Sequence, residues 1–192
     1  PDYRPPGGGW HRHFWQFGVE VHTDEGLVGI GAGGGGVAGV TVVEHAFREI
    51  LVGRDPFAVE QLWEEMYWAS AAYGRKGVAV MAISGVDIAL WDLIGKARGE
   101  PVYRCLGGPT KPRVQAYANG NVEENRARGF RAFKVSKAAV PADGREGMER
   151  NVERVARARE AAGEEADLML DCWMGWDVEY TLEMAERLAP YR

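Results

Sequence analysis

Two periodicities divide this chain. Over residues 14–22 the pattern is two-fold, with Trp15, Phe17, Val19 and Val21 on one side and Gln16, Glu20 and His22 on the other. Alternation of that kind predicts a strand with one buried face. Asp24-Glu25-Gly26 is a turn signal, and residues 27–31 read as a second strand, so the two form a hairpin. The rhythm then becomes helical. A segment at 41–51 is followed by one at 57–67, whose Val59, Leu62, Trp63 and Met66 share a face. Residues 69–77 are small or charged and read as a loop carrying Arg75 and Lys76. Residues 78–97 are apolar nearly all round, which predicts a helix buried on several sides. Within it Asp92 has Lys96 four positions on as a helix pair, and Asp87 is expected to accept a structural hydrogen bond. Gly99, Pro101 and Gly107-Gly108 stop that helix.

Beyond Pro112 strand and helix signals alternate. Strands are predicted at 114–118, 130–135 and 168–171, and helices at 123–128, 144–162 and 178–188. The helix at 144–162 is expected to turn Met148, Val152 and Val155 inward. A strand–helix unit repeated three times is the mark of a parallel α/β sheet or barrel. The segment 107–112, rich in proline and glycine, is the expected boundary, giving domains at 1–110 and 111–192.

Chemistry concentrates at the end of the third of these strands. Leu168-Met169-Leu170 runs directly into Asp171, then Cys172-Trp173. An apolar run of this length reads as a strand buried on both faces. A carboxylate placed there is costly unless a cation, water or hydrogen bonds meet it. Ligands of parallel α/β folds bind at strand C-termini, so Asp171 is the candidate metal ligand. The alternative, a cap for the helix at 178, is a poor fit across six intervening residues. His11 and His13 flank Arg12 near the first strand; they are candidates for contact with an anionic ligand or a metal, although such a pair is more often two solvated polar residues entering a strand. The glycine run Gly31-Ala32-Gly33-Gly34-Gly35-Gly36 also matches GxGxxG through Gly29, Gly31 and Gly34. Its strand comes from a hairpin and no parallel strand follows, so a flexible loop covering a ligand is expected ahead of a nucleotide-binding module.

Composition narrows the classes. The chain has 192 residues and a net charge of −5, with no basic run, which argues against nucleic acid as a partner. Cys105 and Cys172, the two cysteines, have neither pairing nor ligand spacing, as expected of a reducing compartment. No signal peptide and no apolar run near ~18 residues stands out, so a cytoplasmic protein with no membrane contact is expected.

A family resemblance rests on particular motifs. The run from Ala82-Ile83-Ser84-Gly85-Val86-Asp87 through Trp91-Asp92 to Gly99-Glu100-Pro101-Val102-Tyr103 and Leu106-Gly107-Gly108 resembles the cap signature of the mandelate racemase branch of the enolase superfamily. Gly129-Phe130-Arg131-Ala132-Phe133-Lys134 and Asp171-Cys172-Trp173-Met174 continue it. Within the branch, Pro141-Ala142-Asp143-Gly144 and Trp176-Asp177-Val178-Glu179-Tyr180 most resemble the L-rhamnonate dehydratases. The resemblance implies an α+β cap domain followed by the first three β/α units of a modified TIM barrel. It also implies Mg²⁺ held by three strand-end carboxylates, of which Asp171 matches the first and the other two lie beyond residue 192. The implied activity is that of a sugar-acid dehydratase, which removes the proton α to a carboxylate to give an enediolate and expels the β-hydroxyl, leaving a 2-keto-3-deoxy acid. A racemase or cycloisomerase of the same superfamily is the alternative, and a non-catalytic cap used for assembly a further one.

Lys134 matches the first of two lysines that many relatives carry at the end of the second barrel strand, and is the candidate catalytic residue. Ser136 stands where the second would be, and Lys137 is expected on the other side of the strand. Lys137 and Trp173 join His11 and His13 as substrate-binding candidates. A (β/α)₈ barrel takes roughly 250 residues, and 192 − 112 = 80 follow Pro112. The chain is therefore expected to be the front of a longer protein, inactive alone, that works as a homo-oligomer on a small sugar acid.

Overall fold

The hairpin expected from alternation is present as β1 (Phe17–His22) paired antiparallel with β2 (Val28–Gly33). In the computed structural model, which describes residues 16–192, the chain divides into two compact units, one ending at Pro112 and the other running from Arg113 to Arg192. In the first unit the hairpin is followed by α1 (Gly36–Val42), a π-helical turn and α2 (Arg48–Leu51), then α3 (Val59–Gly74), α4 (Val78–Arg98) and the short α5 (Val102–Cys105). Phe47, Leu62, Met66, Ile83, Val86 and Leu90 form its core, each 2% exposed or less. Each large apolar side chain so buried contributes about 1.5–3 kcal/mol. The long helix ends as its sequence dictates. Gly99 takes a left-handed φ of 64°, its N–H donates to Lys96 O, and Glu100 N–H donates to Gly95 O, which satisfies the last carbonyls.

The glycine run is not a mobile loop. Gly29, Gly31 and Gly33 occupy every second position of β2 and face α4, while Ile30 and Ala32 face outward. A Cβ on Gly29 would lie 2.1 Å from Ala89 O, and one on Gly31 2.1 Å from Gly85 O. Strand and helix thus meet backbone to backbone. This corrects both the flexible-loop expectation and the nucleotide-binding alternative, because the glycine face that would cradle a phosphate is filled by α4. Asp92 does more than pair along its helix: Oδ2 accepts from Lys96 Nζ at 2.6 Å and from the Ile30 N–H of β2 at 2.8 Å.

Three further expectations for this unit are corrected. Residues 69–74 extend α3 where a loop was expected, because Ser70 and Gly74 are small enough to bury. Asp87 has no hydrogen bond among the described residues; partial burial beside Glu60 raises its carboxyl above the usual range. Finally, α4 does have the length and apolarity of a membrane span, with a mean hydropathy of 1.8. Its buried Ala82, Ile83, Val86, Leu90 and Leu93 make it a core helix of this unit.

The second unit is a parallel sheet of three strands in the order β3-β4-β5, with β3 (Ala118–Asn119), β4 (Ala132–Ser136) and β5 (Asp167–Asp171). α6 (Val122–Ala127), α7 (Gly144–Ala162) and α8 (Val178–Leu188) follow the strands in turn. One sheet face carries Ala118, Phe133, Val135, Leu168 and Leu170, packed against Val122, Ala158 and Ala162 of the helices. Since side chains alternate along a strand, the other face carries Asn119, Lys134, Ser136, Met169 and Asp171.

Details differ from expectation here too. β3 begins only at Ala118, where it first meets β4; Val114 before it is 76% exposed and has nothing to pack on. β5 lies at the sheet edge and its residues from Leu168 to Asp171 are half-buried, not covered on both faces. The inner stripe of α7 is Gly147, Asn151, Val155, Ala158 and Ala162, with Met148 and Val152 at its margin.

Candidate active site

The ends of β4 and β5 bring three sequence-selected residues together. Ser136 is in register with Asp171, and Lys134 lies two residues earlier on the same face. Lys134 Nζ stands 3.1 Å from Asp171 Oδ2. The Asp171 Oδ1 accepts from the Trp173 N–H at 3.0 Å. Hydrogen bonding to Lys134, and then to the Trp173 amide, holds the Asp171 carboxyl below the usual carboxylate range. The same ion pair, with Tyr117 as second contributor, raises Lys134. The Tyr117 ring lies under the ammonium, 5.2 Å from Nζ to the ring centroid. Asp171 is not a helix cap: that role falls to Asp177, whose Oδ1 accepts from Tyr180 N–H at 2.8 Å.

After Asp171 the backbone turns sharply. Trp173 and Met174 both adopt left-handed conformations, with φ of 42° and 52°, and Gly175 N–H closes the turn on Cys172 O. Trp173 is 47% and Met174 93% exposed. Non-glycine residues held there cost about 1–3 kcal/mol each, and such strain clusters at functional sites.

Lys137 was expected on the opposite side of β4. The strand ends at Ser136, so alternation stops with it. The Lys137 N–H donates to Asp171 O at 3.0 Å, and its ammonium lies beside Gly175, close enough to lower the Asp171 carboxyl. Lys134, Lys137, Asp171 and Trp173 therefore share one end of the sheet. His11 and His13 lie outside the described residues.

Sequence reasoning missed the residues that support this end. Asn151 is fully buried: Oδ1 accepts from Ala138 N–H at 2.8 Å and Ala139 N–H at 3.0 Å, while Nδ2 donates to Ala139 O and Tyr180 Oη. Trp176 Nε1–H donates to the same Ala139 O at 3.0 Å, and its ring packs edge-on against Tyr180. A lone asparagine in the small, apolar stripe of α7 was the available signal.

Asp171 is a hard oxygen donor at a strand C-terminus, 31% exposed at its side chain. Mg²⁺ keeps several waters and takes one or two protein carboxylates with substrate oxygens. Asp171 fits as one such ligand, although among the described residues no three His, Cys, Asp or Glu are grouped to hold a metal. A cavity of about 610 Å³ opens at the other end of the strands, against Ala132, Glu165 and Asp167. It reaches as far as Tyr117 and Met169, but neither Lys134 nor Asp171 lines it.

The chain is similar to known proteins over most of its length. Residues 17–107 match the mandelate racemase / muconate lactonizing enzyme N-terminal domain, and residues 118–192 match the enolase C-terminal domain-like family. The chain is 42% identical over 174 residues to an L-rhamnonate dehydratase of Saccharopolyspora erythraea, covering 90% of this chain and 45% of that protein. It is similar to a crystal structure of rhamnonate dehydratase from Gibberella zeae complexed with Mg, with a TM-score of 0.87 and 40% identity, over 93% of this chain and 44% of that one. A racemase from Streptomyces coelicolor A3(2) with bound magnesium gives a TM-score of 0.80 and 35% identity, over 93% and 56% of the two chains. The chain spans about half the length of the curated relatives it matches.

Proposed function

Because the chain belongs to the mandelate racemase and muconate lactonizing enzyme family of the enolase superfamily, we propose that it is part of a Mg²⁺-dependent dehydratase of sugar acids, with L-rhamnonate or a close aldonate as substrate. The observation that carries this reading is the Lys134–Asp171 pair at the C-terminal ends of adjacent parallel strands. The similarity to L-rhamnonate dehydratases over most of the chain supports it. In this reading residues 1–110 are the cap, and residues 111–192 are the first three β/α units of a modified TIM barrel.

Asp171 would hold the Mg²⁺ ion, alongside carboxylates from elsewhere in a protein of the relatives' length. The ion, when bound, would supply positive charge against the charge that develops on the substrate carboxylate. Lys134 carries out a different task from that of a base. Its pairing with Asp171 raises it, so it is protonated at neutral pH and serves as a fixed cation for the substrate carboxylate. Residues 113–192 contain no histidine, and the Ser136 hydroxyl is no base near neutrality. In this reading, as the resemblance to L-rhamnonate dehydratases implies, the base that takes the α-proton is supplied from elsewhere in the whole protein. Loss of that proton and departure of the β-hydroxyl as water leave an enol, which becomes the 2-keto-3-deoxy acid. Trp173 offers an exposed apolar face beside the reacting groups.

The test is turnover of L-rhamnonate and a panel of aldonates by the whole protein with Mg²⁺, followed by 2-keto acid formation. Asp171→Asn should abolish it. An epimer, with no 2-keto acid, would instead support the racemase reading that the Streptomyces neighbour favours, and a cyclised acid the cycloisomerase reading. Homo-oligomer formation belongs to the same proposal and is read by light scattering on the whole protein.

A further inference from the structure

Lys137 leaves β4 at the point where the sheet ends, yet its ammonium is not left to wander. Two features confine it. Gly175 provides the first: a Cβ there would lie 2.5 Å from Lys137 Cε and 2.9 Å from Nζ, so the lysine occupies the space that any larger residue would claim. Gly175 is not among the residues with positive φ, so its backbone conformation is open to other residues. Space, not conformation, is what requires glycine here. Asn151 provides the second. Its buried carboxamide holds the N–H groups of Ala138 and Ala139 and the carbonyl of Ala139, the two residues that follow Lys137. Trp176 fixes the same carbonyl from the far side of the Asp171 turn. The segment after β4 is thereby tied to α7, to α8 and to the turn that carries Trp173. Among the described residues Lys137 forms no ion pair within 4 Å, in contrast to Lys134, so its charge remains available to a ligand.

We propose that Gly175 and Asn151 are positioning residues that hold the Lys137 ammonium at the strand-end site, where it binds an oxygen-rich anionic group of the substrate. The role rests on the sugar-acid reading above. Lys137 is the cation directed at substrate, and the other two act through it.

Kinetics of the whole protein with L-rhamnonate and Mg²⁺ provide one test. Lys137→Met should raise KM about tenfold or more, as expected for loss of a charge-assisted hydrogen bond, with a smaller change in kcat. Gly175→Ala displaces the flexible end of the Lys137 side chain, with its Cβ also 3.1 Å from the Cys172 backbone oxygen, and should raise KM similarly. The double variant should match the worse single variant and not multiply the two effects. Additive effects, or an unchanged KM in either single variant, would overturn the proposal.

A second test needs no turnover. Acetylation of Lys137, followed by mass spectrometry of the whole protein, should be slowed by L-rhamnonate in the parent. The Lys137 rate without ligand should change in Gly175→Ala and in Asn151→Ala, with Lys134 as internal reference. An unaltered Lys137 rate in Gly175→Ala would sink the positioning role even if the enzyme is active. Protection of Lys137 without any 2-keto acid would sustain it while refuting the dehydratase reading.

Discussion

Lys134 and Asp171 face each other across neighbouring parallel strands, Nζ to Oδ2 at 3.1 Å, although 36 positions separate them in sequence (171 − 134 = 37, less one). Each changes the other's titration, and the signs define a window. The lowered Asp171 carboxyl stabilises the fold above the unfolded carboxylate value of about 4, and that contribution is lost as pH falls through the folded value. The raised Lys134 contributes below about 10.4 and loses its contribution as pH rises through its folded value. The pair is intact across the neutral range. Carboxyl NMR in Mg²⁺-free buffer should place the Asp171 midpoint below 3.9, an ordinary aspartate value of about that size, and Lys134→Met should move it upward. A midpoint unmoved by Lys134→Met would mean that the two groups do not interact in solution.

The bare face of β2 makes a sharp steric prediction. Gly31→Ala would drive its Cβ into the backbone oxygen of Gly85, and Gly29→Ala into that of Ala89. Neither oxygen can swing aside as a side chain would. Each variant should lose about 1–3 kcal/mol or more in urea denaturation. Gly34→Ala meets only the flexible Met81 side chain and should lose much less. Equal losses at the three sites would show that close packing is not the reason for the glycines.

Asn151 predicts a large loss from a modest truncation. Asn151→Ala would leave the Ala138 and Ala139 N–H groups without their partner, while the Ala139 carbonyl keeps the Trp176 bond, and unsatisfied buried groups cost about 1–3 kcal/mol each. A destabilisation of about 3 kcal/mol is expected by thermal or chemical unfolding. Tyr180→Phe removes one bond to the same carboxamide and should cost about 1 kcal/mol. In a double-mutant cycle the two should couple; strict additivity would show that the Tyr180 bond is not formed.

Met174 offers a change in the opposite direction. It is 93% exposed and holds a φ of 52°, so its side chain buries little while its backbone is strained. Met174→Asn, with a residue that tolerates this conformation, should raise stability by up to about 1 kcal/mol. A fall in the melting temperature would mean that the methionine makes a contact worth more than the strain.

Much of this architecture was legible from periodicity. The boundaries of α7 and α8 coincide with the helical pattern at 144–162 and 178–188, because each begins beside a clear polar start signal and ends where the apolar stripe stops. Asp171 was legible because a carboxylate closing an apolar strand stands out. Its partner was legible only through family resemblance, since nothing local in the sequence pairs residue 134 with residue 171. Lys137 was misplaced because two-residue alternation was carried past the last strand residue. The role of Asn151 depends on a loop brought to it by the fold. Gly29, Gly31 and Gly33 were misread because a glycine leaves no hydrophobic mark on a face that is nonetheless buried.

Those three glycines also act as a ruler. Every second position of β2 is bare, and the positions between carry Ile30 and Ala32, which face away from α4. Sliding the strand by one residue would turn Ile30 toward a helix backbone that has no room even for a methyl group. A slide of two would exchange glycine for glycine in the middle but bring Leu27 or Gly35 to the ends. Misaligned hairpins are therefore penalised unequally, with odd offsets excluded outright and even ones only discouraged. The alignment of β1 and β2 is thus set by where side chains are missing, which makes this hairpin a proofreading element for the unit that contains it.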